Sequence, residues 1–207
     1  MDQTTLAFGR GPTLRPAPAK ILYFAYGPNM NPVQMNERCS RPRAVAVARL
    51  AGHALTFHGH GWIWDGGRET VVPAPGHDLW GVVYELTARD ADSLDAWQDV
   101  MLNGTGSYFH CPAIVVDRDG CPYETVLYKK DILGAPRPPS NELLAFIVEG
   151  AAGHGLPRHY VEELCAIPGI PAAYPVPRRR DEDRDALRST SCPDCTSMLD
   201  ENGRLIE

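Results

Sequence analysis

The sequence predicts an α+β domain, on three observations. Short runs rich in Val, Ile and aromatic residues recur between residues 21 and 129, bounded by Gly, Pro and Asp. Helical patterns are interspersed among them, and the strongest, PSNELLAFIVEGAAGHG, comes late, at residues 139–155. Hydrophobic residues make up 43% of the 207, enough for one sizeable core in one domain with a tail.

Residues 1–19 read as a flexible, Pro-bearing N-terminal extension, and residues 20–170 as the folded body. Strand-like runs fall at 21–26, at 44–49 continuing to 54–58, and at 69–73, 79–86, 113–117 and 124–129. PVQMNERC (32–39) opens with a proline suited to helix entry and reads as a short helix. ARDADSLDAWQDV (88–100) is a second helix, with Leu94 and Trp97 three apart. In the strong pattern at 139–155, Ser140 is the predicted N-cap, and Leu143, Leu144, Ile147 and Val148 share one face. PRHYVEELCAI (157–167) follows as a short helix. Residues 171–207 form a Pro-rich, then charged linker that ends in a Cys-x-x-Cys tail.

The formal net charge of -6 argues against a nucleic-acid partner, which needs a basic patch. No apolar run approaches 18 residues, so no membrane span is expected. The N-terminal stretch lacks the apolar core of a signal peptide, and six cysteines without one suggest reduced thiols in a cytoplasmic protein.

The run ILYFAYGPNM raises the functional question. A strand ending in a Gly turn can present a concave row of backbone N–H groups to a carboxylate or oxyanion. Tyr26 would form a wall, Gly27 would admit a ligand close to the backbone, and Asn29 would offer its amide. The same residues also suit a plain strand-to-helix connection.

Here YFAYGPNMNPVQMNERC (23–39) resembles the YFAYGSN signature of the γ-glutamylcyclotransferase-like (AIG2-like) family. Three further blocks resemble that family in order. WDGGRETVVPAPGHDLWGVVYEL (64–86) is similar to its Gly-Gly stretch and following Trp-Gly-Val strand; SLDAWQDV (93–100) is similar to its Leu-Asp-x-x-Glu-Gly-Val. PRPPSNELLAFIVEGAAGHGLPRHYVEELCAI (136–167) is similar to its late helix and Gly-Leu-Pro segment. The resemblance implies a small mixed β-barrel with flanking helices and a cavity at the first loop, residues Tyr26, Gly27, Pro28, Asn29 and Met30. It implies an enzyme that converts a γ-glutamyl amine or related acyl-amine into 5-oxoproline and free amine. No cofactor is implied, and a glutamate serves as general base. Removal of a γ-glutamyl protecting group in specialised metabolism would be one setting.

Two departures bear on that chemistry. Pro28 stands where the family has serine, removing a hydroxyl and a backbone donor. Gln98 stands where the family has its catalytic glutamate, and a neutral amide cannot accept the proton. Three readings follow. Asp99 serves as base after a local shift allowed by the long MLNGTGSY segment (101–108); Glu69, paired on its strand with Arg68, is the displaced base; or cyclotransfer is lost and the chain is an inactive small-molecule-binding protein. Each carboxylate also has a plain alternative, Glu69 as an exposed strand residue and Asp99 as a helix-end one. Tyr108 is a candidate substrate contact or a core aromatic, and Tyr128 carries the same two readings.

His58 and His60 flank Gly59 and would share a strand face, with no third ligand at motif spacing. Cys192 and Cys195 resemble one knuckle of a zinc ribbon, which two tails of a homodimer would complete; a redox pair and a pair of idle thiols are the alternatives. Cys39, Cys111, Cys121 and Cys165 are expected to be small buried hydrophobes.

Overall fold

Five strands close into a mixed barrel in the order β1-β3-β2-β4-β5 in the computed structural model, which describes residues 20–178 except 102. They are β1 (Ile21–Ala25), β2 (Arg43–Gly61), β3 (Gly66–Leu86), β4 (Tyr108–Asp117) and β5 (Pro122–Lys130). All neighbouring pairs are antiparallel except one: β1 runs parallel to β5 through Tyr23 and Val126, and this pairing closes the barrel. Four helices flank it: α1 (Pro32–Arg38), α2 (Ala88–Gln98), α3 (Asn141–Gly153) and α4 (Arg158–Cys165). No helix of the described residues is long and apolar enough to cross a membrane.

The predicted strands at 69–73 and 79–86 are one strand, β3. Pro73, Pro75 and Gly76 look like strand breakers, and the ladder does skip there, from His53↔Pro73 to Ala51↔Asp78. The skip is a bulge, which tolerates residues that cannot serve a regular ladder, so the strand passes through. β4 begins at Tyr108, earlier than the predicted 113, because Tyr108 through Pro112 continue the ladder with β5 up to Lys130.

Each helix is positioned by a legible signal. Asn31 accepts the Val33 N–H at 3.0 Å and caps α1, with Pro32 in its first turn. The Ser140 hydroxyl accepts the Leu143 N–H at 3.2 Å and caps α3. That helix buries Leu143, Leu144 and Ile147, while Val148 is only partly covered. It also backs the first loop, since Asn31 Nδ2 donates to the Phe146 carbonyl at 3.2 Å. The core gathers Phe24, Val83, Leu94, Val115 and Ile147, each fully buried, from strands and helices alike.

The cysteine expectation needs correction. Cys39 is buried and Cys111 half-buried, but Cys121 and Cys165 are exposed. Cys121 sits in the β4–β5 turn and Cys165 ends α4, and both places are open to water whatever the residue. The histidine alternation is also broken: Gly59 has φ +60 and the register shifts between His58 and Gly61. His58 Nδ1 lies 3.4 Å from the Gly134 carbonyl, whereas His60 Nε2 pairs with Asp65 at 2.9 Å. Among the described residues no group of three or more His, Cys, Asp or Glu side chains could hold a metal. Cys192 and Cys195 lie outside the described residues.

Candidate active site

The chain leaves β1 at Ala25, passes Tyr26 and Gly27, and makes a single 3-10 turn at Pro28–Met30. Pro28 sits in the first position of that turn, where its missing N–H costs nothing, and the Met30 N–H bonds back to the Gly27 carbonyl at 2.9 Å. The turn is entirely buried. Beneath it, a nook of about 10 Å³, room for roughly one water, is lined by Tyr26, Gly27, Pro28, Asn29, Glu69, Gln98 and Tyr108 among others. Pro28, Glu69, Gln98 and Tyr108 continue into a larger open cavity of about 270 Å³. Its remaining walls include Arg38, Arg68, Trp62, Trp64, Trp97 and Asp99.

Glu69 is buried on β3, opposite Phe57 of β2. A Cβ at Gly27 would lie 2.8 Å from Glu69 Cγ and 3.4 Å from its carboxyl carbon. Gly27 has φ -117, outside the left-handed region, and the close carboxylate arm is what leaves no room for a side chain here. The group that approaches this backbone is the chain's own carboxylate. Burial raises the Glu69 pKa; a hydrogen bond from its own backbone N–H and the Arg38 and Arg68 cations pull it partly back. Main-chain clamps hold the strand here. The Gly67 N–H donates to the Pro138 carbonyl at 2.8 Å, and the Lys130 N–H donates to Thr70 Oγ1 at 3.0 Å. A Cβ at Gly67 would meet the Arg137 carbonyl oxygen at 2.1 Å.

The other candidates divide. Gln98, 9% exposed at the end of α2, faces both the nook and the cavity, as the block order of the sequence predicts. Tyr108 borders both as well, and its hydroxyl donates to the Glu69 carbonyl at 2.7 Å, which fixes that stretch of β3. Asp99 borders only the cavity. It ends α2 in the left-handed conformation, φ 55, and its Oδ2 accepts from the Ser107 hydroxyl at 2.7 Å and the Ser107 N–H at 3.2 Å. Its carboxylate thereby closes the 101–107 loop. Tyr26 walls the nook and its hydroxyl donates to the Tyr128 carbonyl. Tyr128 also lines the nook, but its hydroxyl is committed to Asp95 at 2.7 Å.

Two loop expectations change. Asn29 lines the nook, but its amide is already engaged: Nδ2 donates to the Tyr23 hydroxyl at 2.9 Å, and Oδ1 accepts from Gln34 at 2.9 Å and Arg38 at 2.8 Å. Met30 borders neither space. Its side chain is fully buried in the core, and its carbonyl accepts the Tyr84 hydroxyl at 3.3 Å.

Arg38 was not singled out from sequence. It is buried on α1, held by Asn29 and stacked on the Trp97 ring at 4.7 Å, and burial lowers its pKa while Glu69 raises it. The available signal was positional. Gln34 and Arg38 sit at i, i+4 on the helix face that carries Met35 to the core, an unusual place for a cation.

A closed mixed barrel with a carboxylate-floored cavity under a Gly-Pro-Asn turn defines a γ-glutamylcyclotransferase-like architecture. The model of the AIG2-like family matches residues 78–164. Gamma-glutamylcyclotransferase of Homo sapiens is 31% identical over 156 residues, covering 73% of this chain and 81% of that protein. The Mus musculus protein of the same name is 34% identical over 153 residues, covering 71% and 78%. A solved structure of a "Gamma-glutamyl cyclotransferase" superposes with a TM-score of 0.71 at 29% identity, covering 83% of this chain and 99% of that one. The chain belongs to the γ-glutamylcyclotransferase (AIG2-like) family.

Proposed function

We propose that this protein is a γ-glutamylcyclotransferase-type enzyme in which Glu69 takes the acid/base role that Gln98 cannot fill. The observation that carries the reading is the buried Glu69 carboxylate packed against Gly27, at the floor of the cavity that Gln98 and Tyr108 also border. The α-amine of a γ-glutamyl amide attacks its own γ-carbonyl carbon, forming the ring C–N bond. Glu69 takes the proton that the nitrogen sheds. Collapse of the tetrahedral adduct breaks the bond to the leaving amine, and Glu69 returns its proton to that nitrogen. The carboxylate ends as it began, with 5-oxoproline and a free amine as products. A pKa raised by burial suits this shuttle, because the same group must take up a proton and then give it back. Gln98 contributes an amide N–H that can hydrogen-bond the γ-carbonyl oxygen as charge develops there. Arg38 supplies a fixed positive charge for the substrate's α-carboxylate. The geometry of Asp99 favours a structural part, since both its contacts close a loop.

The test is a panel of γ-glutamyl amides with 5-oxoproline measured by mass spectrometry. Glu69→Gln is expected to lower turnover by about 10²–10⁴-fold, and Asp99→Asn by far less. Full activity in Glu69→Gln would remove Glu69 as the base. Gln98 sustains one rival, a pocket-retaining binding protein; calorimetric binding of an amide without any 5-oxoproline would favour it.

A further inference from the structure

Three of the chain's four tryptophans line one cavity. Trp62 and Trp64 come from the β2–β3 hairpin tip and Trp97 from α2, so two distant segments converge on this wall. Trp62 is 62% exposed at the rim, where its ring is open to a ligand entering the cavity. His60 meets its ring edge-on at 5.0 Å and holds it. Trp64 is buried against Phe146, with centroids 5.1 Å apart. Trp97 is gripped by the Arg38 guanidinium, and its indole is thereby fixed beside the carboxylate floor. Gly66 and Gly67 also border this cavity, and the 137–140 backbone packs against them too closely for any side chain.

We infer that this vestibule selects the leaving amine: the preferred substrate is a γ-glutamyl amide of an amine that carries an aromatic ring on a short alkyl arm. The inference rests on the cyclotransferase reading above and adds to it the chemical class of the released group. With the γ-glutamyl head on the floor formed by Glu69, Gln98 and Tyr108, the amide nitrogen points outward, and whatever it carries meets the tryptophans. A flat ring gains offset or edge-to-face contacts with the indoles that an alkyl chain of similar length does not. Arg38 and Arg68 are matched on this lining by Glu69 and Asp99, so the selection rests on the rings rather than on charge.

The experiment compares γ-glutamyl-phenethylamide with γ-glutamyl-butylamide. Phenethylamine is somewhat less basic than butylamine and so a slightly better leaving group, and the turnover-free binding comparison below separates that effect from recognition. The expected kcat/KM advantage of the aromatic amide over the butyl amide is on the order of tenfold. Trp62→Ala, a surface change that leaves the core intact, is expected to bring the aromatic-to-butyl ratio to near one. Binding of the intact amides to Glu69→Gln, followed by calorimetry, gives a readout free of turnover and should show the same preference. Equal kcat/KM and equal affinity for the phenethyl and butyl amides would overturn the vestibule inference while leaving cyclotransfer standing. Preferential, Trp62-dependent binding of the phenethyl amide with no 5-oxoproline from any amide would uphold the vestibule and overturn cyclotransfer.

Discussion

At Gly27 two groups far apart in the sequence share one small space: the backbone of the first loop and the Glu69 side chain. Gly27→Ala therefore tests the site without touching its chemistry. The new Cβ would stand 2.8 Å from Glu69 Cγ, and the flexible carboxylate arm would swing away. Expected is a fall in kcat of about 10²-fold, since a misplacement of roughly 1 Å has that effect, with Tm lowered by only a few degrees. Near wild-type kcat would mean the carboxylate's position is not critical. Gln98→Glu approaches the same point from the opposite side. It would place a second carboxylate beside Glu69, and like charges raise each other's pKa. The acid limb of the pH–rate profile is expected to move upward. A profile unchanged from wild type would show that the two groups do not share the space. At this scale the sequence was partly legible. Alternation along β3 made Glu69 a candidate, because Arg68 and Glu69 must point to opposite faces. Its contact with Gly27 was not legible, because the β1–β3 ladder pairs residues 21–25 with 82–86, and only the closed barrel brings the far end of β3, with Glu69, under the first loop. Arg38 escaped notice because a cation on a short helix reads as solvated until the helix is known to be covered.

Among the elements, α3 matters beyond its own packing, because it braces the first loop through Asn31 and Phe146. Its N-cap, Ser140, is fully buried. Ser140→Ala should lower stability by about 1 kcal/mol, or roughly 2–4 °C in Tm for a chain of this size; calorimetry checks this, and no shift would mean the cap is redundant. Another junction, α2 into the 101–107 loop, depends on Asp99. Asp99→Ala removes both Ser107 contacts and puts alanine at φ 55, where a residue other than Gly, Asn or Asp is strained. Greater proteolysis within residues 101–107 is expected, and an unchanged cleavage pattern would count against the role. Helices were the most legible elements. Ser140, Pro32 and the apolar spacing in α3 are local signals that need no knowledge of the fold. Strand ends were less so. Pro73, Pro75 and Gly76 announce a break, and only the partner strand reveals that the break is a bulge within one long hairpin.

For the whole molecule, the buried Glu69 couples the site to global stability. Its folded pKa lies above the ordinary glutamate value of 4.5, because burial disfavours the charged form. A raised carboxyl pKa favours folding below about pH 4.5, and that contribution is lost as pH rises through the folded value. Glu69→Gln carries no such titration. The variant should therefore exceed wild type in Tm at neutral pH, with the gap closing as pH falls toward 4.5. A constant gap across that range would show that the carboxylate titrates normally. The α+β class was legible from run lengths and composition. The closed barrel was expected only through family resemblance, since the β1–β5 pairing that closes it is a single parallel contact between distant segments. The tryptophan placement also gives the protein an optical property. With Trp62, Trp64 and Trp97 around the cavity and only Trp80 elsewhere, three of the four indoles that can emit in the near ultraviolet stand where substrate would sit. Ligand arrival would displace water from the exposed Trp62 ring and shift its emission toward the blue, so occupancy can be followed without a label, in wild type and in variants that no longer turn over.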